Sequence, residues 1–315
     1  MPRATLRERL LPPPAERGVA LVLVLWIAMA LTLIGTVMAT SLQRELRATH
    51  DVLQAAKTRQ AARAGISRGL VHLRSLPVEE MRLLALAGVA GEWHHFDLDG
   101  VSVRYRVYSE LGRVDLNRAD RELTRGLLLA AGADPAQLDM LTDNILDWRD
   151  PSAATRLHGT SPDAYRASGW PDGRRDGDFE SVEELQQVAG FSPELYRQLA
   201  PYLTVHTGAR QPAPEYAAIA VLAAHPGVDP GTASGWARER DQIIRAGTRV
   251  LPPFPGGGAR GGATGIFGIE AVASSGARSS AHIEVIVDAR PGQRLPVTVL
   301  EWREPPLWRP GAGTS

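Results

Sequence analysis

The sequence has no cysteine, few aromatic residues and no excess of either charge. Because cysteine is absent, thiolate zinc sites, thiol nucleophiles, disulfide bonds and a lipid-modified cysteine anchor are all excluded. A chain without thiols is also compatible with an oxidising compartment. The 35 basic and 35 acidic residues balance, so no overall charge attracts nucleic acid or an anionic surface. With 44% hydrophobic residues among 315, the chain can form one large domain or two smaller ones.

One long apolar run lies near the N-terminus. From Val19 to Gln43 no residue is ionisable, and this run exceeds the roughly 20 residues that span a bilayer as a helix. A secretory signal has only about 7–15 apolar residues and is followed by a small-residue cleavage site. The run here is longer, and the small residues near Ala39 form only a poor cleavage site. A spanning helix over 19–43 is therefore favoured. The arginines before Val19 weakly favour a cytoplasmic N-terminus, with the rest of the chain across the membrane.

Helical periodicity continues past the apolar run and predicts one helix over Val19–Leu76, ended by Pro77. Asp99-Gly100 is a hairpin-turn signal, and the strand that follows alternates apolar and polar side chains. Three further alternating runs predict strands near the C-terminus, namely GIFGIEAVA, AHIEVIVDA and PVTVLEW. The predicted fold class is therefore α+β, with a long N-terminal helix packed on an antiparallel sheet.

Over residues 112–250 the hydrophobic period is that of helices. The helix-start signals in this block are Asp134-Pro135, a capping box of Ser181 and Glu184, and Ser192-Pro193. A further helix pair is expected across Glu215–Arg245. A large α-helical domain is thus predicted to interrupt the helix-and-sheet domain.

Three patterns match known motifs but lack the context that those motifs need. GISRG at 65–69 has the spacing of a nucleophile elbow, yet it lies inside the predicted helix and not between a strand and a helix. GGGARG at 256–261 has dinucleotide-binding spacing but follows proline-rich sequence typical of a linker. The eight histidines do not have the spacing of a zinc-protease site. His94 and His95 are expected to be ordinary packed or surface side chains. No catalytic residue is predicted, and nothing supports an anchored periplasmic hydrolase.

Two stretches, VAGFSPELYRQL and HPGVDPGTASGW, resemble helix-hairpin-helix units, which bind DNA phosphates through backbone N–H groups. Ser192 and Asp229 replace the second glycine of the turn in the two copies. No lysine cluster flanks either copy, although phosphate binding depends on such charge. Structural hairpins are therefore favoured, and a membrane-anchored DNA-binding protein is the alternative function.

The segment from Asp150 to Asp178 is longer than the about 12–15 residues beyond which loops are usually functional or disordered. Carboxylates at alternate positions near its end suit a hard cation such as Ca²⁺. A solvated acidic loop is the alternative interpretation. The predicted calcium ligands are Asp150, Asp163, Asp176, Asp178 and Glu180, and Asp172 lies in the same loop.

A basic leader that ends at Gly18, directly before the apolar helix, resembles a type IV prepilin. GRVDLNRA, ILDWRDP, FESVEELQQVAGFSPELYRQLAPYLTV and VLEWREPP extend the resemblance over nearly the whole chain to the type II secretion system protein K (GspK) family of minor pseudopilins. The resemblance implies that a prepilin peptidase cleaves after Gly18 and leaves Val19 as a methylated N-terminus. Leu23 would then be the fifth mature residue, where resembling pilins carry a glutamate.

The resemblance also implies a non-enzymatic subunit at the tip of a periplasmic pseudopilus, which supports export of folded proteins. It implies other minor pseudopilins of the I and J types as partners, a single-pass anchor in the bacterial inner membrane, a mainly periplasmic chain and no nucleic acid. The expected domains are the leader 1–18, the membrane helix 19–43, a pilin-like part 44–111, an inserted helical domain 112–250 with SAM- or helix-hairpin-helix-like repeats over 112–205 and 206–250, and C-terminal pilin-like strands 251–315.

Overall fold

The computed structural model of the chain describes residues 17–152, 154–169, 173–247, 250–257, 265–276, 279–290 and 297–304. The α-helices are α1 Arg17–Ser75, α2 Val78–Val89, α3 Arg121–Ala130, α4 Leu138–Trp148, α5 Pro162–Ala167, α6 Pro193–Leu199, α7 Ile219–Ala223 and α8 Pro230–Arg245. The strands are β1 His94–Leu98, β2 Val101–Ser109, β3 Val114–Asp115, β4 Leu203–Thr204, β5 Ile266–Ser275, β6 Ser279–Asp288 and β7 Thr298–Arg303. Short 3₁₀ helices cover Glu110–Gly112, Val182–Gln187, Ala200–Tyr202 and Pro214–Tyr216.

The chain divides into two compact units, Met1–Ala56 and Lys57–Ser315. In the first unit, Leu21–Met38 is a helical stretch long and apolar enough to cross a membrane, with a mean hydropathy of 2.5. The helix α1 that contains it begins at Arg17 and ends at Ser75, so the prediction of one long helix is confirmed. Pro77 lies two residues beyond the end of α1 and disfavours helical backbone at Leu76, so the helix stops at Ser75.

In the second unit, five antiparallel strands form a sheet in the order β1-β2-β5-β6-β7. The predicted hairpin joins β1 to β2, and its turn residues Asp99 and Gly100 have φ values of 50° and 78°. Left-handed backbone at both central positions is the geometry that makes Asp-Gly a favoured two-residue turn. The three predicted C-terminal strands are present as β5, β6 and β7, so the α+β fold class is confirmed.

The C-terminal part of α1 packs closely on this sheet. Ile66 of α1 and Ile269 of β5 are buried in one apolar cluster. A Cβ added to Gly69 would lie 2.6 Å from the Ile269 side chain, and one at Gly65 would lie 2.9 Å from Ala271 Cβ. The two glycines of GISRG therefore permit close helix–sheet contact, and the motif has no nucleophile-elbow geometry.

All the described helices between β2 and β5 belong to an insertion, because β2 and β5 are neighbours in the sheet. Ser109 at the end of β2 pairs with Phe267 at the start of β5. The insertion has its own core, in which Leu127, Leu141 and Leu222 are almost fully buried. Its two short strands, β3 and β4, form a separate parallel pair. The exact limits of the predicted domains and repeats stay predictions.

Local details of the insertion differ from the sequence-based expectation. The helix expected to begin at Asp134 begins at Leu138, because the Asp134 carboxylate accepts the Ala136 N–H and forms a turn first. The capping box of Ser181 and Glu184 is present, but it opens a 3₁₀ helix. The helices α2 and α5 were not expected. The linker pattern GGGARG lies partly outside the described residues, which end at Gly257 there.

Candidate functional site

The predicted processing site lies at the start of α1. Gly18 and Val19 have helical backbone, and residues 1–16 of the predicted leader lie outside the described part of the chain. Leu23 lies in the apolar stretch Leu21–Met38 and is 60% exposed. That stretch contains no acidic residue, so it offers no carboxylate to pair with an amine. Cleavage after Gly18 stays a prediction.

The acidic loop is organised on the polar face of α4. Asp143, Asn144 and Asp147 of this helix are all about fully buried, with exposures of 1%, 1% and 0%. Each of the three accepts a backbone N–H from the loop, and the donors alternate along it. The contacts are Arg156 N to Asp147 Oδ2 at 3.1 Å, His158 N to Asp143 Oδ2 at 3.1 Å and Thr160 N to Asn144 Oδ1 at 2.6 Å. The loop is therefore fixed to α4 through its backbone.

Two arginines complete the surroundings of Asp147. Arg156 Nη1 donates to Asp147 Oδ1 at 2.6 Å, and Arg174 Nη1 lies 3.5 Å from Asp147 Oδ2. Arg174 also donates from Nε to Asp176 Oδ1 at 2.5 Å, and Arg156 donates from Nη2 to Asp150 Oδ2 at 3.3 Å. Three carboxylates thus share two guanidinium groups.

The other predicted ligands are paired elsewhere. Asp178 accepts from Arg118 at 3.0 Å, and Glu180 is paired with Arg175. Asp163 is paired with Arg166 one helical turn away, and its side chain is 94% exposed. Among the described residues no group of three or more acidic or histidine side chains could hold a metal ion, and Asp172 lies outside them. The five predicted ligands therefore do not fit one calcium centre in this arrangement, and calcium binding stays a prediction.

Sequence reasoning missed the buried acids of α4. Asp143 and Asp147 are four residues apart, so they lie on one face of the helix. Beside the apolar stripe of Leu141 and Ile145 they look like an ordinary solvated face. The available signal was the absence of basic residues on the helix itself, which leaves these acids to find partners in the following loop.

The helix starts that would contact DNA are occupied by side chains of the protein. Asp229 Oδ1 accepts the N–H groups of Gly231 and Thr232 at the start of α8, at 2.9 and 3.1 Å. A hydrogen bond from the Thr232 hydroxyl lowers the pKa of Asp229, so a carboxylate stands where a phosphate would need to bind. Ser192 caps α6 by accepting the Leu195 N–H. Both turns are thus capped as structural hairpins.

Charged residues also join the insertion to the sheet. Arg113 Nη2 donates to Glu284 of β6 at 2.8 Å, and the Tyr108 hydroxyl donates to the same oxygen. Burial opposes ionisation of Glu284, but Arg113 and its other donors outweigh this and lower the pKa of Glu284 to about 2. Glu183 of the insertion lies 3.6 Å from Arg303 of β7. The insertion is therefore tied to two strands by ion pairs.

Comparison with known proteins gives one consistent family. Residues 97–208 match the family model for type II secretion system protein K. The type II secretion system protein K of Dickeya chrysanthemi is 34% identical over 84 residues, which are 27% of this chain and 23% of that protein. A protein of Escherichia coli (strain K12) named "Putative type II secretion system protein K" is 22% identical over 204 residues, or 60% of this chain and 62% of that one. The matched part thus spans less than two thirds of either relative.

The fold is similar to that of a solved structure. A chain in the crystal structure of the GspK-GspI-GspJ complex of enterotoxigenic Escherichia coli superposes with a TM-score of 0.55 at 13% sequence identity. The superposition covers 84% of this chain and all of the other. None of these matches supports the DNA-binding alternative. Residues 97–208 are thus similar to the type II secretion system protein K family, and the long helix, the sheet and the helical insertion form a fold like that of the solved chain.

Proposed function

We propose that this chain is a minor pseudopilin of a type II secretion system, a structural subunit at the tip of the periplasmic pseudopilus, and not an enzyme. The match of residues 97–208 to the family model for protein K supports this role. So does the fold shared with a chain whose structure was solved as a GspK-GspI-GspJ complex. The expected partners are therefore I- and J-type minor pseudopilins.

The position of the insertion is the observation that carries the tip assignment. Near Lys57, where α1 enters the second unit, Thr58 contacts Ser279 at the β5–β6 end of the sheet. Further along α1, Gly69 approaches Ile269, close to the Ser109–Phe267 end. The insertion is attached at this second end. Pilin-like filaments grow by repeated contacts between unlike faces of successive subunits, and we infer that the insertion blocks a further subunit from adding at that end.

The apolar stretch of α1 supports the same assignment. In resembling pilins, a glutamate at the fifth mature position pairs with the N-terminal amine of the next subunit. Leu23 occupies that position here, and no acid occurs between Val19 and Gln43. An unpaired charge in apolar surroundings costs several kcal/mol, so this subunit is unsuited to receive a neighbour's amine. A subunit at the tip has no such neighbour.

We infer that maturation removes residues 1–18 and that Leu21–Met38 anchors the protein in the inner membrane before assembly. Mass spectrometry of the mature protein should find an N-terminus at Val19, with or without a methyl group. Gly18→Val should block cleavage. Gly35→Val is the matched control, because a Cβ at Gly35 meets nothing within 4 Å, and it should be cleaved normally. An intact Met1, or an N-terminus near Ala39, would contradict the prepilin assignment.

Cysteine crosslinking tests the tip position separately, since the chain has no cysteine of its own. Single cysteines placed on the insertion and on the sheet should crosslink to other minor pseudopilins from the sheet but not from the insertion. Leu23→Glu should bring no gain in secretion. Recovery of the protein along the filament shaft, in amounts near those of the major subunit, would rule the tip assignment out.

A further inference from the structure

We propose that the loop from Asp150 to Glu180 is held by the chain's own arginines, Arg156 and Arg174, which neutralise the buried Asp147 carboxylate in place of a divalent cation. This inference concerns how the insertion is folded, and it does not depend on the proposed function. It is the alternative to the predicted calcium site, and it implies a loop whose stability does not depend on calcium.

The Asp147 carboxylate is buried. Its side chain is 1% exposed, and a carboxylate taken out of water without a partner costs several kcal/mol. The loop backbone closes directly over it, because a Cβ added to Gly159 would lie 2.0 Å from Asp147 Oδ2. Glycine at 159 therefore lets the chain approach the carboxylate, and some cation must neutralise it there.

Arg156 and Arg174 supply that positive charge. Asp147 Oδ1 accepts from Arg156 Nη1 at 2.6 Å, and the Arg156 backbone N–H lies 3.3 and 3.1 Å from the two oxygens. Arg174 approaches the other oxygen, Oδ2, at 3.5 Å. Calcium needs six to eight oxygen ligands at about 2.3–2.6 Å. Both oxygens of Asp147 already face nitrogen donors, so they are not open to such a metal.

Arg174 is itself buried, and its side chain is 0% exposed. Its guanidinium lies between Asp147 and Asp176 and also donates to the Ala154 carbonyl at 3.3 Å. The atoms around it are thus two carboxylates and one carbonyl oxygen, which are the ligand types of a calcium site. A planar guanidinium with five donors can bridge such a set, and a buried arginine would be costly if these carboxylates were given to a metal.

Thermal unfolding of the full chain in detergent tests the proposal. The Tm of the wild type should be the same in millimolar Ca²⁺ and in excess chelator. Arg174→Gln and Asp147→Asn should each lower the Tm, and the double variant should lose less than the sum of the two, since they remove one shared interaction. Asp163→Asn is the matched control for loop charge and should leave the Tm unchanged.

A second measurement covers the case in which the core variants fail to fold. Limited proteolysis of the wild type should cut the loop 150–180 at the same rate with Ca²⁺ and with chelator. Ca²⁺-dependent protection of the loop, or a rise of several degrees in the wild-type Tm with Ca²⁺, would overturn the proposal. An unchanged Tm for Arg174→Gln would overturn it as well.

Discussion

The contact between α3 and the residue that follows α7 allows a sharp test of the insertion. Gly126 lies in the middle of α3, and a Cβ built on it would lie 2.1 Å from the Ala224 carbonyl oxygen and 3.1 Å from Ala224 Cα. Both atoms belong to the backbone, and Ala224 is 2% exposed. Gly126→Ala therefore cannot be relieved by a side-chain rotation, and the two helices must separate by roughly 1 Å to restore van der Waals contact.

Two opposing effects determine how much Gly126→Ala changes the free energy of unfolding. Alanine is favoured over glycine in a helix interior by about 1 kcal/mol, whereas overpacking of a close-packed contact costs about 1–3 kcal/mol. A backbone-to-backbone clash belongs at the upper end, so we expect Gly126→Ala to lower the free energy of unfolding by about 1–2 kcal/mol. For a domain of this size each kcal/mol shifts the Tm by about 2–4 °C, which gives a decrease of about 2–8 °C.

Gly235 provides the matched control, because it also lies inside a helix, α8, but a Cβ there meets nothing within 4 Å. Gly235→Ala should therefore show only the helix-propensity gain and raise the Tm by about 2–4 °C. Circular dichroism melting of both variants and the wild type in the same detergent measures the difference. If Gly126→Ala is as stable as Gly235→Ala, α3 and the end of α7 are not in contact as described.

Three further predictions concern the insertion and its junction with the sheet. Since the pKa of Glu284 is lowered to about 2, its contribution is present above its unfolded pKa of about 4.3 and is lost as the pH falls toward 2, so Glu284→Gln should flatten the acid limb of a Tm–pH curve. Leu141→Ala, at a site 0% exposed, should cost about 2–5 kcal/mol in denaturant unfolding, while Leu129→Ala, at a site 50% exposed, should cost far less. Asp229→Ala should remove the cap of α8 and cost about 1 kcal/mol; a gain of salt-dependent DNA binding by this variant would reopen the alternative function.

The elements predicted correctly from the sequence are those whose conformation is set by residues close to one another along the chain. The alternating residues after Gly100 form a strand because every second side chain faces the same core, and Asp99-Gly100 fixes the turn that reverses it. The uninterrupted apolar run and the helical period that follows it made α1 predictable to within two residues at either end. Local chemistry was sufficient in these cases.

The start of α4 and the acidic loop depend on contacts that are remote in sequence. Asp134 has the chemistry of a helix cap, but a turn that its carboxylate closes delays the helix to Leu138. In the loop, the sequence shows many acids and many arginines without showing which will pair. Gly159 lets the loop backbone approach Asp147 of α4, and Arg174 lies beside the same carboxylate. No periodicity in the sequence indicates such an approach.

The junction between the sheet and the insertion has a consequence for how this fold arose and how it is assembled. Ser109 and Phe267 pair across adjacent strands, so the two ends of the inserted segment emerge about 5 Å apart. A short hairpin turn could replace residues 110–265 without shifting the register of any strand, and the product would be a small subunit with an unbroken meander. This chain therefore differs from such a small helix-and-sheet fold by one insertion at a β-turn. During synthesis, β2 cannot pair with β5 until the whole inserted segment has been made. An insertion that folds first shortens the flexible loop between β2 and β5 and so lowers the entropy cost of bringing the two strands together.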